Sequence, residues 1–270
     1  MCNKLNFAKE TVHSILEGTF GDREVHLCRC EPQNFNGTNV ILLHGVHSSA
    51  NLSHINKFKY LAESLVKRGF RAWLIETSRN TRNRDNYLDN VGAWIKAAFL
   101  GKTFAQEEED VFIAIRKIAS IVKDETKWLW GFSLGGIIAL SVAAGNAEKE
   151  NCEKITIDTL VLSGTGTKSY EEKNPYIMKL PILSSLCDST NIEILKKVTT
   201  NKLISFRGEN DEIFPKDNCK ELLEMVNIPE NNKIFIEISK ADHSLRNRDG
   251  KNSPEIMEEM VDFVVDFSTT

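Results

Sequence analysis

The sequence predicts an α/β protein built on a mostly parallel central sheet with helices on both faces. Two observations predict it. Short apolar runs rich in β-branched residues recur along the chain, and segments with a helical apolar period separate them. Most of the runs are apolar on both sides rather than alternating, as strands covered on two faces must be. Strands that alternate with helices point to right-handed crossovers within one sheet.

The runs are Val40–Leu43, Ala72–Ile75, Trp128–Trp130, Thr159–Leu162, Leu203–Phe206 and Ile234–Ile238. Glu24 to Cys30 alternates better and follows a Gly21-Asp22-Arg23 turn, so Glu17 to Cys30 reads as an antiparallel hairpin at the sheet edge. Between the strands, Phe58, Leu61, Leu65 and Val66 form one helical stripe. Val111, Ile115, Ile118 and Val122 form another, after an acidic run from Glu107 to Asp110 that suits the positive end of a helix dipole. Met257, Val261 and Val264 mark a C-terminal helix behind the start signal Ser253-Pro254. No repeat, low-complexity tract or Pro/Gly-rich linker divides the chain, so residues 1–270 read as a single domain.

Composition sets the class. Hydrophobic residues make up 41% and charged residues 27%, a globular balance. With 34 basic against 38 acidic residues, the net charge of −4 offers no electrostatic reason to bind nucleic acid or an anionic membrane. No apolar stretch approaches the length of about 20 residues that a spanning helix needs, so no integral membrane segment is expected. Residues 1–16 carry Lys4, Lys9 and Glu10 and do not read as a signal peptide. Of the six cysteines, Cys28 and Cys30 share one strand face and read as small apolar fillers. A reducing, cytoplasmic setting is the expectation.

The sharpest chemical signal is Gly131-Phe132-Ser133-Leu134-Gly135. It follows an apolar run and leads into Ile137 to Ala144, so G-x-S-x-G lies between a strand and a helix, the context that the motif requires. Small flanking residues let strand and helix approach closely. The serine then stands exposed at the carboxyl end of the sheet, at a helix N-terminus where negative charge is favoured. A serine needs an adjacent base. Of the six histidines, His243 is the one placed after the last predicted strand. The base in turn needs an acid to fix its tautomer. Glu209, Asp211 and Glu212 all follow the Leu203–Phe206 run, and Asp211, three residues beyond the turn at Gly208, has room to reach back. The N–H groups of Val46, after the Leu43-His44-Gly45 turn, and of Leu134 are the candidate oxyanion donors. His44 reads as a structural hydrogen-bonding residue, and His47 as either a surface histidine or one near the pocket mouth.

The His44-Gly45 turn, the Ser133 elbow, the G-x-x-D at Gly208 to Asp211, Asp242-His243 and the chain order serine, acid, histidine together resemble the α/β-hydrolase superfamily, in its serine esterase and lipase-like branch. The resemblance extends from about Glu17 to Phe267. It implies an α/β-hydrolase fold and a serine hydrolase, as opposed to epoxide hydrolases, whose nucleophile is aspartate. It calls for no cofactor and no metal. One departure stands out: where many members carry a short D-x-x-G loop, this chain has Glu76-Thr77-Ser78-Arg79 and a long polar stretch.

Two long connections remain. Thr77 to Phe104 holds Arg79, Arg82 and Arg84, which read either as a solvated loop or as a binding site for a carboxylate or phosphate. It also holds an apolar stripe through Leu88, Val91, Trp94, Ile95, Ala98 and Phe99, which either packs on the domain or lines an acyl pocket. Thr165 to Thr200 reads as a minimal cap, with an apolar first half and a helix over Asn191 to Val198. Trp94, Tyr176, Met178 and Leu180 are the candidate substrate-binding residues. The expected activity is a carboxylesterase acting on a small-molecule ester through an acyl-enzyme. A peptidase, amidase or thioesterase with the same triad and a non-catalytic binding protein on the same fold are the alternatives.

Overall fold

The computed structural model describes residues 5, 7–54, 56–87, 90–150, 153–168, 180–186 and 189–270. Tyr176 and Met178 lie outside the described residues. Eight strands form one sheet: β1 (Ala8–Glu17), β2 (Glu24–Pro32), β3 (Thr38–Leu43), β4 (Arg71–Glu76), β5 (Thr126–Phe132), β6 (Thr159–Ser163), β7 (Lys202–Asn210) and β8 (Lys233–Asp242). Their spatial order is β1-β2-β4-β3-β5-β6-β7-β8. β2 pairs antiparallel with both neighbours, and every other pairing is parallel.

The helices are α1 (Lys57–Lys67), α2 (Val91–Phe99), α3 (Phe104–Val122), α4 (Leu134–Ala143), α5 (Pro181–Ser184), α6 (Ser189–Lys197), α7 (Lys216–Met225) and α8 (Pro254–Thr269). Strand alternation sorts the core into two layers. Val40, Leu42, Leu74, Trp130, Val161 and Ile204 pack with α1 and α8 on one face. Ile41, Leu43, Ile75, Leu129, Leu160 and Leu203 pack with α3, α4 and α7 on the other. Each run is apolar on both sides because each strand serves both layers. The expected hairpin is β1 and β2, though β1 begins earlier, at Ala8. Helix α7 had no sequence forecast. Its amphipathic stripe is short, with Cys219, Leu222 and Leu223 buried.

The topology positions the site. From β3 the chain steps outward to β4, then returns to lay β5 on the other side of β3. Connections at the carboxyl ends of β3 and β5 therefore diverge and open a crevice, the usual ligand position in such sheets. His44-Gly45-Val46 and Ser133 both stand there.

The two long connections are only partly loops. Thr77 to Phe104 contains a short 3₁₀ turn (Asp85–Tyr87) and α2. Within Thr165 to Thr200, Leu180 and Ile182 pack on Trp94, Ala98, Phe99 and Leu134. Leu195 and Val198 instead join the core layer beneath α4 and α7, so this half of the segment flanks the sheet.

Candidate active site

Ser133 links β5 directly to α4 and adopts φ 51° and ψ −118°, a strained backbone for any residue with a Cβ. Close packing enforces it. A Cβ on Gly131 would lie 2.2 Å from the Gly135 carbonyl oxygen, and one on Gly135 would lie 2.4 Å from that of His44. Both motif glycines are thus required by close approach of backbone to backbone. The Ser133 N–H donates to the Ser163 carbonyl (2.8 Å), and the Thr165 hydroxyl donates to the Ser133 carbonyl (3.1 Å). Two ties from the end of β6 and the residues beyond it therefore fix the elbow from below.

His243 follows β8, and its Nε2 lies 3.0 Å from Ser133 Oγ. Its Nδ1 lies 2.9 Å from Asp211 Oδ2. A carboxylate only accepts, so Nδ1 carries the proton and Nε2 is free to accept from the serine hydroxyl. Asp211 is buried, while the His243 side chain is 20% exposed. The other Asp211 oxygen, Oδ1, accepts the N–H groups of Ile213 (2.8 Å) and Phe214 (3.0 Å). Burial alone would raise the Asp211 pKa. The hydrogen bonds from His243, Phe214 and Ile213 outweigh it and hold the carboxyl below its ordinary range. The competing carboxylates point elsewhere. Glu209 accepts from the Lys240 N–H and the Ser239 hydroxyl, and Glu212 is exposed.

Sequence reasoning missed Arg207. This buried guanidinium donates to the carbonyls of Phe214 (Nε, 3.0 Å) and Asp211 (Nη2, 2.9 Å) and pairs with Glu237 (3.2 Å). It shapes the turn that presents Asp211. Its signal lay in its position at the end of a strand, next to the turn it braces. Lys57 was missed as well. Its ammonium donates to the Ser244 carbonyl (3.0 Å), beside His243, and lies 4.1 Å from the centre of the Phe132 ring.

Val46 and Leu134 share one apolar cluster beside Ser133. A Cβ on Gly45 would lie 3.2 Å from Ser133 Cβ, so the Gly45–Val46 peptide begins against the serine. Leu134 opens α4, and Val46 packs on the same apolar cluster as Leu134, Trp94, Phe99 and Leu180. His47 is buried, its ring 5.4 Å from that of Phe99, and burial lowers its pKa to about 4. It is neither on the surface nor charged.

The arginines are not a solvated run. Arg79 is 1% exposed, with its guanidinium 5.0 Å from the Phe99 ring centre and 3.5 Å from Glu76. Arg82 pairs with Asp22 (2.8 Å) and Glu76 (3.0 Å). Only Arg84 is exposed, resting 4.9 Å above the Trp94 ring. Glu76 to Arg79, where the sequence departs from the D-x-x-G pattern, is thus a packed and paired segment. Among the described residues no grouping of His, Cys, Asp or Glu side chains could hold a metal ion, and no helix is long and apolar enough to cross a membrane.

No protein-family model matches the sequence, and no curated protein matches it significantly. Solved structures do resemble it. A cold-adapted esterase from an Arctic intertidal metagenomic library is 17% identical with a TM-score of 0.61, covering 94% of this chain and 92% of that one. A dienelactone hydrolase from Anabaena variabilis is 16% identical with a TM-score of 0.60, over 95% and 96% of the two chains. An α/β serine hydrolase without lid from Xanthomonas campestris is 15% identical with a TM-score of 0.58, over 97% of each. At these identities the likeness establishes the architecture: this chain has the α/β-hydrolase fold.

Proposed function

We propose that this protein is a serine hydrolase that cleaves a small to medium carboxylic ester through an acyl-enzyme. One observation carries the reading: the unbroken relay from Ser133 Oγ to His243 Nε2 (3.0 Å) and from His243 Nδ1 to Asp211 Oδ2 (2.9 Å). Ser133 Oγ attacks the ester carbonyl carbon while His243 Nε2 takes its proton, and buried Asp211 stabilises the imidazolium that results. The carbonyl oxygen becomes an oxyanion held by the N–H groups of Val46 and Leu134. Collapse of the intermediate returns the proton from His243 to the departing alkoxide and leaves the acyl group on Ser133. Water, deprotonated by His243, then releases the acid. Trp94, Phe99, Leu134 and Leu180 pack into one apolar cluster beside the serine, the kind of side chain that would receive an acyl group. The structural neighbours described as esterases and dienelactone hydrolases support an ester as the substrate.

The test is a panel of p-nitrophenyl esters of graded acyl length, run beside amide and thioester analogues. Ester turnover should lead. Ser133→Ala should abolish it with the fold intact, a loss on the order of 10⁶ in rate, because triad members act as a unit. A fluorophosphonate should label the wild type and leave Ser133→Ala unlabelled. Labelling that survives the substitution overturns the assignment, and faster amide or thioester turnover moves it to another class of acyl transfer.

A further inference from the structure

Behind the oxyanion turn lies a cluster of charges with almost no access to solvent. Lys102 is 0% exposed, Glu107 2% and Asp110 0%. Lys102 Nζ lies 2.5 Å from Glu107 Oε2 and 2.8 Å from Asp110 Oδ2, and donates to the Ser78 carbonyl (2.6 Å). Such groups are rarely buried without partners, and their pairing alone is a weak argument for stability. The acidic run that the sequence assigned to the α3 dipole thus has two members turned inward, one turn apart on the same helix. They differ in what else they touch. Asp110 holds Thr19 and Ser78 through their N–H and hydroxyl groups. Glu107 reaches Thr77 and His44 instead, with Oε1 3.9 Å from His44 Nδ1.

His44 is what makes this difference matter. Its Nδ1 lies 2.8 Å from the Gly45 carbonyl oxygen, and its Nε2 lies 3.4 Å from the Thr77 backbone N. A carbonyl only accepts and a backbone N–H only donates, so the ring is neutral with its proton on Nδ1. Burial lowers the His44 pKa, in keeping with the neutral ring. The other tautomer would set an Nδ1 lone pair against the Gly45 oxygen and an Nε2–H against the Thr77 N–H, with only the Thr77 hydroxyl, 3.3 Å from Nε2, to accept from it. A carboxylate on the Nδ1 side, 3.9 Å away, favours the same Nδ1–H tautomer. The charges nearest the ring besides Glu107 are Arg79 and Glu76. The Gly45–Val46 peptide is trans, so its C=O and N–H point opposite ways. Holding the carbonyl on His44 therefore sends the Val46 N–H out of the buried cluster, from a peptide whose first Cα already lies against Ser133.

We propose that Glu107, clamped by Lys102, is a positioning residue for the oxyanion site: it fixes the Nδ1–H tautomer of His44, which grips the Gly45 carbonyl and aims the Val46 N–H at the reacting oxygen. The inference rests on the hydrolase reading above. It gives one member of the acidic pair, Glu107, a role beyond structure and leaves Asp110 structural.

The experiment compares Glu107→Gln with Asp110→Asn, reading kcat and KM on a p-nitrophenyl ester, the thermal midpoint, and the ¹⁵N shifts of the His44 ring. Glu107→Gln keeps the side-chain volume, and Lys102 keeps Asp110 and the Ser78 carbonyl. The variant should fold, and its kcat should fall about 10- to 10²-fold at unchanged KM, at or below the loss measured when an oxyanion donor is deleted. The His44 shifts should move toward the Nε2–H tautomer. Asp110→Asn should lower the thermal midpoint and keep kcat per folded molecule. On a His44→Asn background, whose amide presents a donor near the Nδ1 position whatever its neighbours, Glu107→Gln should cost nothing further, since the pair acts as one unit. Unchanged kcat or unchanged ring shifts in Glu107→Gln overturn the proposal, as do equal losses in both acidic variants that track folded protein. If the wild type cleaves no ester, the hydrolase reading fails, while the ring shifts still decide whether Glu107 governs His44.

Discussion

Ser133, His243 and Asp211 stand at the carboxyl ends of three strands, with the His243 side chain 20% exposed. Lys102, Glu107 and Asp110 lie behind the neighbouring turn with at most 2% exposure. Both clusters join a carboxylate to a basic nitrogen at hydrogen-bond distance, yet they are suited to opposite tasks. The first cluster joins a hydroxyl, an imidazole and a carboxylate, groups between which a proton can pass. The buried cluster pairs fixed charges, and its Glu107 carboxyl is held well below its ordinary range. Burial works against ionisation of Glu107, but the charge and hydrogen bond of Lys102, with a hydrogen bond from Thr77, prevail. Chemistry needs a proton that can move from one group to the next, whereas support needs only fixed charges. The β3 turn, His44 to Val46, is where the two clusters meet.

The largest effect should separate the roles of the carboxylates. Asp211→Asn should reduce kcat roughly 10⁴-fold, by analogy with the orienting acid of the serine proteases. Glu209→Gln, whose carboxylate accepts from the Ser239 hydroxyl and the Lys240 N–H, should stay near wild type. A larger loss in Glu209→Gln would break the assignment of the acid.

A smaller effect tests the buried side through pH. Glu107 has a folded pKa of about 2, depressed from its ordinary value of 4.5. The stability it contributes is therefore fully present above the unfolded pKa and is lost as pH falls through the folded one. Glu107→Gln should be less stable than wild type by about 3 kcal/mol at pH 7, the scale for breaking a buried pair. The gap should narrow between about pH 4.5 and 2 as the wild-type carboxyl takes up its proton. Denaturant midpoints across that range check it, and a gap independent of pH would show that Glu107 gains nothing from its charge.

The smallest effect concerns the acyl side. Leu180 is buried on Trp94, Phe99 and Leu134. Leu180→Ala should shift the preferred acyl length by about 1 to 3 kcal/mol in relative kcat/KM, the size expected of small apolar differences in a pocket. A uniform loss at every length, following thermal stability, would make Leu180 part of the fold and leave selection to other residues.

How much was legible depends on whether a residue's role is local. The strands could be read because burial on two faces leaves a run of apolar residues behind, and the Ser133 elbow because the close approach of β5 and α4 demands glycines at fixed spacing. His243 could be read from its place after the last strand. Asp211 is favoured in the sequence over two neighbouring carboxylates only by its spacing from Gly208, and what distinguishes it in the structure is spatial: Arg207 shapes its turn, while Glu209 is drawn away by Lys240. Helix α7 left too short a pattern to announce itself.

By itself, then, the sequence determined the alternation of strands and helices, the strained serine between two of them, and the chain order of the residues that converge on it. These follow from backbone sterics and from the periods of strand and helix, which act over a few residues. Only the tertiary structure decided which charges are buried. Glu107 sits in an acidic run with the look of a solvated helix start, and Arg79 in an asparagine-rich stretch with the look of a loop. Their partners come from other elements: His44 for Glu107, and Phe99 with Trp94 for Arg79. A charge's cost in a protein interior depends on what surrounds it in three dimensions, and no local pattern encodes that surrounding.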